Sequence, residues 1–143
     1  MYRLLTFILL ALQGVLSLQA SSRLATGRWV RISVPATGIY ELTDSLIGAA
    51  GFTHPERVKL YGYGGAMQPE QLNAQYLALT DDLPQVPVLR TGNRILFYAQ
   101  GPLTWQEKNT LHQVQVQHPY STAGYYFVTD DSRYTDVAMP TAG

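Results

Sequence analysis

Residues 28–34 read RWVRISV, with apolar and polar side chains alternating: Val30, Ile32 and Val34 fall on one side, Trp29, Arg31 and Ser33 on the other. Alternation with period two predicts a strand with one buried face. Residues 35–38 (PATG) carry turn chemistry, 39–42 (IYEL) resume as a second strand, and the two are expected to close as a hairpin. The period then changes. Thr43 stands where an N-cap belongs, Asp44 occupies the first turn, Leu46, Ile47 and Ala50 repeat at helical spacing, and Gly51 supplies a stop. This predicts one short helix near residues 43–50, too short to persist unless it packs on a sheet.

Residues 54–57 (HPER) turn the chain into a third strand at 58–61, which runs into the glycine-rich LYGYGG at 60–65. Residues 66–73 follow neither period and contain Pro69, so an irregular connection is expected, with a brief edge strand at 76–80. The run DDLPQVP at 81–87 predicts an extended crossing or an edge, because proline brings no amide proton to an interior ladder. After a tight turn at 91–93, RILFYA at 94–99 is almost unbroken in its apolarity and predicts a central strand. Residues 101–107 are expected as a loop, LHQVQVQ at 111–117 alternates, and GYYFVT at 124–129 predicts the last strand. Short strands punctuated by turns give a mainly β fold, an antiparallel sandwich or barrel-like domain with one helix.

The first twenty residues stand apart from that pattern. Arg3 precedes the apolar run LLTFILLA at 4–11, and small residues gather at Ala20, Ser21 and Ser22. This is the layout of a signal peptide, with cleavage after Ala20 or Ser22. Gln13 and Gly14 interrupt the run short of the roughly 18–20 apolar residues that a membrane span requires. The expected organisation is a signal peptide at 1–20, a β domain at 21–129, and a linker at 130–143 leading to a further domain. No transmembrane helix is expected after cleavage.

Composition narrows the partner classes. Arg3 is the one charged residue among the first twenty, so nine of the ten Lys and Arg remain against all ten Asp and Glu. A near-neutral chain without a basic cluster offers nucleic acid no electrostatic footprint. The chain contains no cysteine, which removes any thiol nucleophile, zinc–thiolate site or iron–sulfur site from it. Ten tyrosines against four phenylalanines indicate half-buried rings with one wet edge.

LYGYGG invites comparison with phosphate-binding loops. A dinucleotide loop needs G-x-G-x-x-G opening a helix, so that backbone N–H groups meet the pyrophosphate. Gly62 and Gly64 fit two positions, Met67 stands where the third glycine belongs, and Pro69 follows. The stretch therefore reads as a turn leaving a strand, where glycine permits positive φ or close backbone approach, and no cofactor site is expected. His54, His112 and His118 show no metal-ligand spacing, and no calcium-loop pattern surrounds Asp81, Asp82, Asp130, Asp131 or Asp136. The serines lack G-x-S-x-G, and nothing favours a catalytic carboxylate pair. Trp105, Tyr120 and Tyr125 have the ring chemistry to stack on sugars or on a partner surface.

Several segments in fixed order carry a family likeness. GRWVRI at 27–32, TGIYEL at 37–42, LYGYGG at 60–65, DDLPQVP at 81–87 and RILFYAQGP at 94–102 are followed by Trp105, PYS at 119–121 and GYYF at 124–127. From about residue 24 to 129 the chain resembles the opening of the PorU-type, gingipain-like sortases of the type IX secretion system. The resemblance implies the N-terminal β domain of a large exported enzyme at the outer membrane or surface of a Gram-negative bacterium. Members of that family remove C-terminal sorting signals from cargo and attach the cargo to a cell-surface lipopolysaccharide, an acyl transfer through a Cys–His pair. With no cysteine, and with no histidine in a catalytic motif, this chain inherits no catalytic residue.

The partners that the resemblance implies are the downstream peptidase domain of the same protein and outer-membrane type IX secretion components. The interaction surface is expected on the edge carrying Pro84, Val86 and Pro87, or in the stretch holding Trp105, with Tyr120 nearby. The alternative reading is a secreted carbohydrate-binding or cell-surface interaction module.

Overall fold

The computed structural model describes residues 22–109 and 112–135; the expected signal peptide and the end of the expected linker lie outside them. Nine strands build three antiparallel sheets among the described residues: β1 (Val30–Val34), β2 (Gly38–Thr43), β3 (Lys59–Gly64), β4 (Gln85–Val86), β5 (Leu89–Thr91), β6 (Arg94–Ala99), β7 (Leu103–Asn109), β8 (His112–Gln117) and β9 (Gly124–Thr129). The first sheet has the order β1-β9-β3-β4, the second β2-β6-β5, and β7 with β8 forms a two-stranded sheet of its own. The fold is mainly β, and no sheet closes into a barrel.

The alternation in β1 does what its period predicts: Val34 is buried, Val30 and Ile32 are half-buried, and Arg31 and Ser33 face solvent. The predicted β1–β2 hairpin does not form. β1 pairs with β9, with Val30 opposite Val128, while β2 pairs with β6, with Tyr40 opposite Phe97. Residues 35–37 are a corner that carries the chain from one sheet to the other. Turn residues announce a change of direction but not which strand lies beside which, and here long-range pairing overrides the local expectation.

The core lies between the two larger sheets. Val34, Leu60, Tyr126 and Val128 from the first meet Ile95, Phe97 and Ala99 from the second, and Ile47, Phe52 and Val58 close one end. Phe97 and Tyr126 join the layers edge to face, with ring centroids 5.9 Å apart. Each buried side chain of this size contributes about 1.5–3 kcal/mol relative to exposure.

The first helix, α1 (Asp44–Ala49), is built as its sequence dictates. The Thr43 hydroxyl accepts from the Leu46 N–H at 3.2 Å. At the far end Gly51, at φ +85°, donates to Gly48 O, and Phe52 donates to Ile47 O, the paired bonds of a Schellman cap. Ile47 alone is buried, which fixes the helix to the core.

A second helix, α2 (Ala74–Leu79), replaces the edge strand expected at 76–80 and corrects the expectation of a single helix. Asn73 caps it, its side chain accepting from the Tyr76 N–H at 2.8 Å. No residue of α2 is buried, so the helix has no apolar stripe to reveal its period. The second correction concerns residues 103–107, expected within a loop, which run as part of β7.

The described ends meet. Arg23 bonds the Asp82 carboxylate through Nε at 3.1 Å and lies over the rings of Tyr61 and Tyr134. Trp29 packs on both of those rings. Arg133 bonds Asp131 and reaches Thr26 Oγ1 at 2.9 Å. Asp131 to Tyr134, inside the stretch expected as linker, thus lie back against residues 23–29. Among the described residues no helix is long and apolar enough to cross a membrane.

Candidate functional site

The site begins at a crossing of backbones. Gly62 and Gly64 adopt φ +142° and +62°, which β3 uses to shift register against β9 between Tyr61 and Gly64. A Cβ on Gly64 would stand 2.6 Å from Gln100 O, and one on Gly124 would stand 2.7 Å from Gly65 N. The loop therefore packs against residues 100–101 and the start of β9. Its amides are engaged: Gly65 N–H donates to Gln100 O at 2.8 Å, and Gly62 N–H donates to Pro84 O at 2.9 Å. Donors that a phosphate would need are bonded to the chain itself.

The β7–β8 hairpin leaves from this crossing. Gly101 N–H donates to Thr37 Oγ1 at 3.0 Å, and His118 N–H donates to Pro102 O at 2.8 Å, clamping its base. The hairpin pairs with neither larger sheet, and its described side chains over 103–108 and 112–117 are exposed except for half-buried Thr104 and Val116. Trp105 sits opposite Gln115, and Leu103 opposite Gln117, so these four share one face.

That face forms one wall of an open groove of about 1420 Å³. The 35–37 corner, Tyr98, the 118–122 loop and Tyr125 complete it. Trp105 is 65 % exposed and Tyr120 is 92 % exposed. The Tyr120 N–H donates to His118 Nδ1 at 3.2 Å. The two rings meet edge-on at 6.3 Å. The Arg31 guanidinium lies 4.7 Å from the centre of the Tyr125 ring. No Asp, Glu, Lys or Arg lines the groove.

Of the residues expected to form an interaction surface, the structure brings Trp105 and Tyr120 together in this groove. Pro84, Val86 and Pro87 lie elsewhere, in and beside β4 at the edge of the first sheet, where Val86 is half-buried against the core. Sequence reasoning passed over Tyr98, Gln115 and Gln117. The alternating glutamines of LHQVQVQ were the available signal, because one face of a strand repeats every second residue.

Among the described residues no group of three or more His, Asp or Glu gathers to hold a metal. Asp82 is held by Arg23, and Asp131 by Arg133, which together with the Arg133 N–H lowers the Asp131 carboxyl to about 2. Asp136 lies outside the described residues. His54 Nδ1 pairs with Glu56 at 3.2 Å on the surface, and His112 is in β8. Burial raises the Tyr126 hydroxyl, which accepts from the Gln100 N–H at 2.8 Å.

The chain is similar to a segment of PorU from Porphyromonas gingivalis, known from the crystal structure of the dimeric latent protein. The match has 41% sequence identity and a TM-score of 0.75 over 87% of this chain. This chain is PorU-like. It spans 12% of the length of that PorU chain, so the similarity concerns a small segment of a much longer protein. No family model and no curated protein matches the PorU-like chain.

Proposed function

We propose that the chain is the non-catalytic N-terminal β domain of a PorU-type sortase, exported to the outer membrane or cell surface, where it docks on the rest of that protein. The observation carrying this reading is 41% identity to PorU over 87% of this chain, confined to 12% of the PorU chain. The absence of cysteine agrees with it, because a thioester step would need a thiolate supplied from outside these residues.

A docking face is available on the outer side of the second sheet. Ile39 and Tyr98 stand opposite each other across β2 and β6, and Leu89 stands opposite Leu96 across β5 and β6. Ile39 is 69 % exposed, and Tyr98 and Leu89 are also exposed. Neighbouring exposed apolar residues on one sheet mark a surface that another body covers. The downstream peptidase domain is the proposed occupant, with outer-membrane type IX secretion components as further partners.

The test is the reading frame beyond Gly143 and the binding of its product. An open frame encoding a Cys–His peptidase domain that binds this chain is expected, with Ile39→Asp plus Leu89→Asp weakening binding about tenfold. A stop codon, a downstream sequence without such a domain, or binding indifferent to the double substitution overturns the proposal. A second reading, a cell-surface interaction module, is favoured by the open aromatic groove, whose lining includes neither Ile39 nor Leu89 and shares Tyr98 with that face.

A further inference from the structure

We infer that the groove between the β7–β8 hairpin and the 118–125 segment is a binding site for uncharged glycan chains; the inference rests on the second reading above. Three features of the lining select this ligand class. The first is aromatic surface left in water. Trp105 and Tyr120 present large, accessible rings, one from the hairpin and one from the 118–122 loop, and such rings pack on the C–H faces of sugars as they pack on other apolar surfaces.

The second feature is the polar chemistry around the rings. Gln115 lies directly across the ladder from Trp105, and Gln117 lies one pair further along the same face. A glutamine amide offers two N–H donors and a carbonyl acceptor, which suits hydroxyl groups that both give and accept. Gln117 is already directed, its Nε2 donating to Ser121 O at 3.2 Å. The third feature is charge. The lining holds no Asp, Glu, Lys or Arg, its one imidazole, His118, accepts from the Tyr120 N–H, and the Arg31 guanidinium lies over the Tyr125 ring, so little fixed charge is offered to a phosphate, sulfate or carboxylate.

Size and shape refine the class. The groove volume of about 1420 Å³ exceeds the range of about 300–1,000 Å³ common for small-molecule pockets. It is open as well as large, so it accommodates several linked units better than one monosaccharide. An extended peptide is the competing ligand. Peptides captured as an added strand bond to a free sheet edge, whereas Trp105, Gln115 and Gln117 project from a strand face. The clamp at the hairpin base and the bond from Tyr120 N–H to His118 within the 118–122 loop order the hairpin's root and that loop before any ligand arrives, which reduces the ordering cost of binding.

Affinity electrophoresis of the chain in gels containing dextran, galactomannan or laminarin, with alginate as the anionic control, tests the inference. A Trp29→Phe background leaves Trp105 as the one indole, so its emission reports on the groove directly. At least one neutral polysaccharide is expected to retard the chain and shift Trp105 emission to the blue. Trp105→Ala is expected to weaken retardation about tenfold, with unchanged far-ultraviolet circular dichroism. Should Trp105→Ala not fold, Gln115→Ala carries the test, with an expected loss of about threefold. Trp105-dependent binding only to alginate or to a polyproline peptide overturns the glycan assignment and leaves the surface-interaction reading standing. No Trp105-dependent binding to any of these probes overturns both.

Discussion

Tyr126 serves the fold with both ends of one side chain. Its ring packs on Phe97 in the core, and its hydroxyl accepts the Gln100 N–H at the glycine crossing from which the hairpin departs. The raised hydroxyl pKa has burial as its main cause, so the group stays a neutral phenol through the physiological range. Tyr126→Phe keeps the ring and removes the acceptor, leaving a half-buried amide without its partner. Urea denaturation is expected to show a loss of about 1–3 kcal/mol. A change within error would mean that solvent satisfies Gln100. Lys59 makes a similar point with charge: its ammonium, at the end of a buried side chain, donates to Arg57 O at 2.9 Å.

At the scale of elements, the glycines where LYGYGG crosses the start of β9 act by being absent in volume. Any Cβ at Gly124 would press on Gly65 N and on Gln100 O, both main-chain atoms that no rotamer change can move aside. Gly124→Ala is therefore expected to cost about 1–3 kcal/mol, read as a shift in the urea midpoint at constant m-value. An unshifted midpoint would show that the crossing yields freely. The sequence carried this element well: β6 and β9 fall on the predicted residues, and Thr43 caps α1 as its position indicates. It carried strand pairing poorly, because nothing in residues 28–42 tells β1 that its neighbour is β9, nearly a hundred positions away. α2 was hidden for a different reason, since a helix with no buried residue has no periodic apolar face. The groove was half legible. Trp105 and Tyr120 are conspicuous by residue type, but their meeting depends on where the hairpin and the 118–122 loop are carried in space.

For the molecule as a whole, the Asp131–Arg133–Thr26 contacts join its two flanks, and their strength depends on acid. The Asp131 carboxyl is lowered from 3.8 to about 2, first by the hydrogen bond from the Arg133 side chain. A folded-state pKa below the unfolded value means that the carboxylate stabilises the fold fully above pH 3.8, and that this contribution is lost as pH falls toward 2. Thermal melts of the chain and of Asp131→Asn are expected to differ by a constant amount near neutrality, with the difference shrinking below pH 4. A gap that persists at pH 2 would assign the effect to something other than ionisation.

The same meeting of flanks has a mechanical consequence. β1 begins where β9 ends, since Val30 faces Val128, so tension applied through both flanks enters the sandwich at one end of a single antiparallel seam. Cross-strand bonds loaded in that way break in succession, as in a zipper, instead of resisting together in shear. Once the guanidinium contacts at the margin let go, a modest tug would peel β1 from β9 and open the apolar interior from that side.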